Sequence, residues 1–263
     1  MDQGLLTTLG KRSAQRICTR SDVGILDEAS GERLLGQLRD LSSTGACLRT
    51  EAALPVGKEL RLAFEFAPGA EPVRLHAEVA WSGRDEGPRG GVRSGVRFLD
   101  LAGADFGRLR AFIDQKLWTV QRFLSSIELL ADLNDLERLL LASTSFDREF
   151  AAQETLDESV SDDTLVIVRA GTFTCVETQS DGRVTEPRTL TAGDLGGALP
   201  IDPRGGTHLR LQAVTPAAVL VIPSDGFAYL RDTHAATALK VMTCWCLHLR
   251  DRLATVPAAE SRR

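Results

Sequence analysis

The sequence predicts a mainly β chain in which two β-rich halves are joined by helices. Three observations predict it. Glu59 to Phe66 and Val73 to Trp81 alternate polar and apolar residues, the period of a half-buried strand. After Leu101 the period changes, and Leu109, Ile113, Leu117, Val120, Leu124, Ile127 and Leu130 recur at helical steps. From Gln153 the strand-like runs return, and the last of them is followed by two further helical stretches.

Composition bounds what such a chain does. At 263 residues it suits two domains of ordinary size, and 43% hydrophobic residues are enough to build a core in each. A formal net charge of −5 argues against a general nucleic-acid binder. No apolar run reaches the ~18–20 residues that span a bilayer, and the first residues lack a secretory pattern, so a cytoplasmic protein is expected. The five cysteines hold no C-x-x-C pair and the four histidines are scattered, so neither disulfides nor a metal site are expected.

In the first half, Gln3 to Ser21 contains no acidic residue but carries Lys11, Arg12, Arg16 and Arg20. A mobile basic arm of this kind suits an anion, because guanidinium groups grip phosphate oxygens in pairs. Leu34 to Leu38 reads as a strand running into Arg39-Asp40-Leu41-Ser42-Ser43-Thr44-Gly45, which holds Asp, Ser and Gly at the spacing D-x-S-x-x-G. Gly45 to Arg49 leaves as another strand. Leu54-Pro55-Val56-Gly57 marks a turn, Pro68-Gly69 breaks the chain again, Ser82 to Gly91 is a polar loop, and Ser94 to Leu99 closes the series. Several short antiparallel strands with such punctuation predict a small barrel.

The connector is a helix of about 25 residues with Asp105 as its expected cap. Its apolar stripe fits packing on both domains, a dimer seam or a lever equally well. A second helix is expected from Asn134, with Glu137 as its capping-box partner, to about Ala142.

In the second half, Thr164 to Val168 and Thr172 to Val176 flank Arg169-Ala170-Gly171, and Ser180-Asp181-Gly182-Arg183 reads as a hairpin turn. Leu209 to Val214 and Ala217 to Ile222 are the last strands. Ser224 is expected to cap a short helix. A longer one follows from about His234 to Leu253, with Ala238, Met242, Trp245, Leu249 and Leu253 on one stripe.

In order and spacing, the first half resembles the PilZ family of cyclic di-GMP-binding barrels. The resemblance rests on Arg12 and Arg16 (R-x-x-x-R), on Asp40, Ser42 and Gly45, on Glu78-Val79-Ala80-Trp81, and on Gly95-Val96-Arg97-Phe98-Leu99-Asp100-Leu101. It implies that Arg12 and Arg16 hold phosphates and guanine faces, with Lys11 beside them, and that Asp40, Ser42 and Gly45 meet the ligand on the barrel surface. Trp81 stands either beside that site or at the barrel core or rim. The second half is similar to the cyclic-nucleotide-binding domain family through Gly171, Gly193-Asp194, Gly196, Ala198-Leu199 and Ala213-Val214-Thr215-Pro216-Ala217. That family places a Glu where this chain has Gly197 and an Arg where it has Thr207. Arg204 could reach in only from a loop. The cassette around Gly196, Gly197, Ala198, Arg204 and Thr207 therefore reads as degenerate, because an anion there lacks a matched cation.

These resemblances imply three domains: 1–103, a PilZ-like barrel with its arm; 104–150, a helical linker; and 151–263, a cyclic-nucleotide-binding-like roll with terminal helices. The implied function is a non-enzymatic cyclic di-GMP receptor coupled to an interaction or dimerisation module. A dual sensor that also takes cyclic AMP or cyclic GMP, and a ligand-independent scaffold, are the alternatives. The expected partners are cyclic di-GMP and a protein or second copy, with no cofactor, no metal and no DNA. The last helix fits dimerisation or ordinary packing on the roll.

Overall fold

The computed structural model describes residues 15–67, 69–84, 90–156, 164–178, 182–184, 186–197 and 208–254. The chain divides into two compact units between Thr119 and Val120. It is mainly β, with a barrel in the first unit, two small sheets in the second, and helices between and after them.

The first unit holds seven strands: β1 (Arg16–Cys18), β2 (Asp22–Asp27), β3 (Arg33–Ser42), β4 (Gly45–Thr50), β5 (Glu59–Phe64), β6 (Val73–Arg84) and β7 (Val92–Phe98). Six of them close on themselves in the order β3-β2-β5-β6-β7-β4, the ring completed by pairing of β3 with β4. Every pairing is antiparallel. Closure leaves no open edge around the ring. β1 lies beside the second half of β3, with Arg16 opposite Ser42 and Cys18 opposite Asp40.

Alternation fills the barrel. Ile17, Leu41, Ala46, Val96 and Val79 lie in register across five strands and are buried. They form an inner row, so their neighbours along each strand face outward. The β2–β3 turn is held by Asp27, which accepts from the Ala29 amide and the Ser30 hydroxyl and pairs with Lys58 at 2.6 Å. These bonds lower the Asp27 pKa to about 2, the Lys58 contact contributing most.

Two strands, β1 and β2, lie where the sequence reading has only a mobile arm and its sequel. From Arg16 onward that arm is a strand, because Ile17 is buried in the barrel interior. Lys11 and Arg12 lie outside the described residues. The loop expected from Ser82 begins as strand, β6 continuing to Arg84.

Helix α1 (Gly103–Ser125) follows. Asp105 does not cap it. Its carboxylate accepts from the Arg74 amide of β6 at 3.0 Å and from Arg108, one turn on. Arg108 also donates to the carbonyls of Glu71 and Pro72, each at 3.0 Å. Phe112 stacks on Phe66, centroids 3.9 Å apart. Lys116 Nζ donates to the Cys18 carbonyl at 2.6 Å, tying the helix to β1.

In the second unit, a 3-10 turn (Glu128–Leu130) precedes α2 (Asp135–Ser143), which opens with the anticipated capping box. Asn134 Oδ1 accepts from the Glu137 amide, and Glu137 Oε2 from the Asn134 amide. Next come β8 (Phe146–Phe150), β9 (Leu165–Ala170), β10 (Phe173–Thr178), β11 (Arg188–Leu190), β12 (Leu195–Gly197), β13 (His208–Ala213) and β14 (Ala217–Ile222). They form a four-stranded sheet β12-β9-β14-β8 and a three-stranded sheet β11-β10-β13. β8 falls within the stretch expected as helical linker. It pairs with β14 instead and buries Phe146 and Phe150. Gly171 turns β9 into β10 at φ 77°, with Ala217 and the Pro216 carbonyl too close for any side chain.

Helix α3 (Ser224–Thr233) begins after Pro223, and Ser224 is its first residue rather than a side-chain cap. Helix α4 (Ala235–Ala254) buries Ala238, Val241, Cys244 and Trp245; of the expected stripe, Ala238 and Trp245 are buried and Met242 is half-buried, while the side chains of Leu249 and Leu253 lie outside those described. Lys240 reaches Glu137 of α2 at 2.8 Å. No helix among the described residues is long and apolar enough to cross a membrane.

Candidate functional site

Strand register assembles the candidate site on the outer wall of the barrel. Cys18 of β1 is opposite Asp40 of β3, Asp40 opposite Cys47 of β4, Cys47 opposite Gly95 of β7, and Gly95 opposite Trp81 of β6. This row lies next to the buried inner row and therefore faces outward.

Two bulges shape it. On β3, Leu38 and Leu41 are both buried, and the register slips between Leu38 and Asp40. Inward residues three apart leave two consecutive residues outside, here Arg39 and Asp40. On β6 the slip lies between Val79 and Trp81. Val79 and Ser82 line up with buried Val96 and Ser94, so Ala80 and Trp81 both face outward. The β3 bulge is locked from β1, since the Arg39 carbonyl accepts from the Thr19 amide at 3.1 Å and from Arg20 Nη1 at 2.9 Å.

Arg16 and Asp40, predicted from separate motifs, come together. Arg16 Nη1 donates to Asp40 Oδ1 at 2.5 Å, with side chains 40% and 34% exposed. The pair is accessible from solvent and each member keeps further bonding capacity.

Ser42 and Gly45 serve the turn that carries Asp40. Ser42 is fully buried, its hydroxyl donating to the Gly45 carbonyl at 3.0 Å and accepting from the Thr44 amide at 3.3 Å. A Cβ at Gly45 would lie under 3.0 Å from the Val96 carbonyl oxygen, so the glycine lets β4 run close to β7. Trp81 is at the rim, 49% exposed, with its indole resting on Gly95 where any side chain would collide with it.

The sequence reading passes over Arg39 and Arg93. Arg93 lies two residues before Gly95 on β7, opposite Arg49 and Gly83, on the same outer face. Both are half-buried. Arg49 donates to the Gly90 carbonyl at 2.6 Å, and Arg97 pairs with Glu78 at 3.0 Å. In the middle sits the Cys47 thiol. Burial and then the Asp40 charge push its pKa up to about 11, against the opposing pull of Arg93, Arg16 and Arg39. The thiol is held protonated and is no nucleophile at neutral pH.

In the second unit, Gly196 and Gly197 are strand residues of β12, opposite Val166 and Leu165 of β9, and both are buried. A Cβ on Gly196 would crowd Leu190 and Val166. Ala198, Arg204 and Thr207 lie outside the described residues. No group of metal-binding side chains occurs among the described residues.

The PilZ domain family model matches residues 10–115. No functionally curated protein matches the chain. Similar solved structures include members of both folds. The PilZ domain with c-di-GMP of YcgR from Escherichia coli is 17% identical, covers 44% of this chain and 95% of its own, and has a TM-score of 0.35. A cyclic nucleotide-binding domain from Methylobacillus flagellatus is 17% identical, covering 54% and 80%, at a TM-score of 0.43. The regulatory domain of Toxoplasma gondii PKA with cAMP is 13% identical, covering 88% and 77%, at 0.45. The resemblance of the first unit therefore rests on the sequence match of residues 10–115 to the PilZ domain family model.

Proposed function

We propose that this PilZ domain binds cyclic di-GMP on the barrel wall around Arg16 and Asp40, and that the chain is a non-enzymatic receptor for it. The observation that carries the reading is the Arg16–Asp40 pair, which joins the R-x-x-x-R and D-x-S-x-x-G motifs at one exposed point. Guanidinium groups answer the ligand's phosphodiesters, and a carboxylate accepts from guanine N–H groups. Arg12 and Lys11 supply further cations in this reading, and Ser42 and Gly45 hold the turn that presents Asp40. The flat stretch from Cys47 over Gly95 to Trp81 suits a planar purine.

The second unit is the output module in this proposal, engaging a protein partner or a second copy. Its cassette positions at Gly197 and Thr207 lack the charges that a cyclic mononucleotide requires.

The test is calorimetric titration of the full chain with cyclic di-GMP and with cyclic AMP in parallel. Saturable binding of cyclic di-GMP alone is expected. Each charge-assisted hydrogen bond is worth ~1.5–3 kcal/mol, so Arg16→Ala and Asp40→Ala should each weaken binding at least about tenfold. Absence of any cyclic di-GMP binding sinks the proposal.

A further inference from the structure

We infer that Arg20 is a positioning residue of the cyclic di-GMP site, clamping the backbone that carries Asp40, an inference that deepens the receptor reading above and rests on it.

The sequence places Arg20 among the cations of a basic arm, four residues after Arg16. In the structure its side chain turns onto backbone. Arg20 Nη1 donates to the Thr19 carbonyl at 2.8 Å and to the Arg39 carbonyl at 2.9 Å, and lies 3.2 Å from Cys18 Sγ. The Arg39 carbonyl also accepts from the Thr19 amide at 3.1 Å. Two donors therefore hold one oxygen, which has two lone pairs to offer. That oxygen belongs to the peptide joining Arg39 to Asp40. The peptide is planar, so fixing its carbonyl fixes the direction from which Asp40 leaves β3.

The bulge makes the clamp useful. Register between β3 and β4 slips between Leu38 and Asp40, so the regular ladder is interrupted at this peptide on that side. On the other side the β1–β3 ladder runs from Arg16–Ser42 to Cys18–Asp40 and stops there. Thr19 and Arg20 carry the grip one residue further. Of the two donors, the guanidinium makes the charge-assisted and stronger bond.

The clamp and the site share one short segment. Arg16 Nη1 reaches the Asp40 carboxylate at 2.5 Å, and four residues later Arg20 holds the peptide behind it. A ligand arriving at the Arg16–Asp40 pair meets a carboxylate already aimed, which lowers the ordering cost of binding. Functional side chains keep their aim only when a supporting shell fixes them, and here that shell acts on the main chain.

The test uses the full chain carrying Arg20→Met or Arg20→Lys, beside Arg16→Ala and Asp40→Ala. Arg110→Met, on the exposed side of α1, removes an equal charge elsewhere. Cyclic di-GMP affinity is read by titration, and hydrogen exchange of the ligand-free protein is read over the second half of β3. Arg20→Met should weaken binding at least about fivefold and speed exchange over Arg39–Ser42 by a similar factor. Arg20→Lys, which still offers a charged donor, should stay within about threefold of wild type, and Arg110→Met within about twofold. Wild-type affinity in Arg20→Met overturns the inference. So does weaker binding with unchanged exchange, since Arg20 would then meet the ligand itself. An equal loss in Arg110→Met overturns it as well, by showing long-range attraction only. Should Arg20→Met fail to fold by circular dichroism, Arg20→Gln takes its place, with about threefold expected in both readouts and the same results overturning. Loss confined to Arg16→Ala and Asp40→Ala removes this inference and leaves the receptor reading standing. No binding by the wild-type chain removes both.

Discussion

Gly45 offers a sharp test of how the candidate site is built. In the ligand-centred reading of D-x-S-x-x-G, the glycine is there so that a ligand can come close. The structure assigns it a different reason: a Cβ at that position would fall roughly 1 Å short of ordinary contact with the Val96 carbonyl oxygen, where contact begins at 3.4 Å. The obstacle is backbone, so no rotamer change relieves it, and β4 must move away from β7. Overpacking of this kind costs ~1–3 kcal/mol. At ~1.4 kcal/mol per tenfold, Gly45→Ala should speed amide exchange by about five- to a hundredfold in β4 and β7, with no ligand present. Hydrogen exchange read by mass spectrometry over Gly45–Thr50 and Val92–Phe98 measures this strand by strand. If exchange in both strands is unchanged while cyclic di-GMP binding is lost, the packing argument is wrong and the glycine does face the ligand.

Three further outcomes are expected. Asp27, with its pKa lowered to about 2 from 3.8 chiefly by Lys58 and then Ser30, contributes fully to stability above pH ~4 and loses that contribution as pH falls through about 2. Urea midpoints of wild type and Asp27→Asn should therefore differ at neutral pH and converge towards pH 2, and a constant gap would refute the linkage. Asn134→Ala removes one half of the α2 capping box and should cost ~1 kcal/mol, read as roughly fivefold faster exchange over Asp135–Ser143. Lys116→Met removes the bond from α1 to the Cys18 carbonyl, on the strand that carries Arg16. If that bond passes ligand state to α1, the variant should bind cyclic di-GMP within about threefold of wild type yet lose the ligand-dependent change in exchange along Gly103–Ser125. An undiminished change would show that the signal takes another route.

What was legible in the sequence was what depends on period. Strands β3 to β7 announce themselves by alternation or by the turns between them, α1 by its stripe, α2 by Asn134 and Glu137. β1, β2 and β8 were not legible, and β1 and β8 share a reason. Each is a short strand whose partner is distant in sequence: β1 takes its place from β3 and β8 from β14. Arg-Ile-Cys and Phe-Asp-Arg-Glu-Phe are too short for alternation to separate strand from loop. Asp105 departs from the expected cap for a related reason. An acidic residue at a helix start ordinarily caps, but here the Arg74 amide of a neighbouring strand claims the carboxylate.

The site divides along the same line. Arg16 and Asp40 could be named because their motifs are local, and the structure joins them. Arg39 adjoins Asp40 in the chain, and strict alternation predicts that it points to the opposite face. Only the burial of both Leu38 and Leu41, which no local rule supplies, reveals the extra residue and reverses its direction. The same defect of period recurs on β6, where it brings Ala80 and Trp81 out together. Both irregularities fall in one row across the barrel, at the two ends of a floor made by Cys47 and Gly95. Each bulge brings two consecutive side chains onto the outer wall, Arg39 with Asp40 and Ala80 with Trp81.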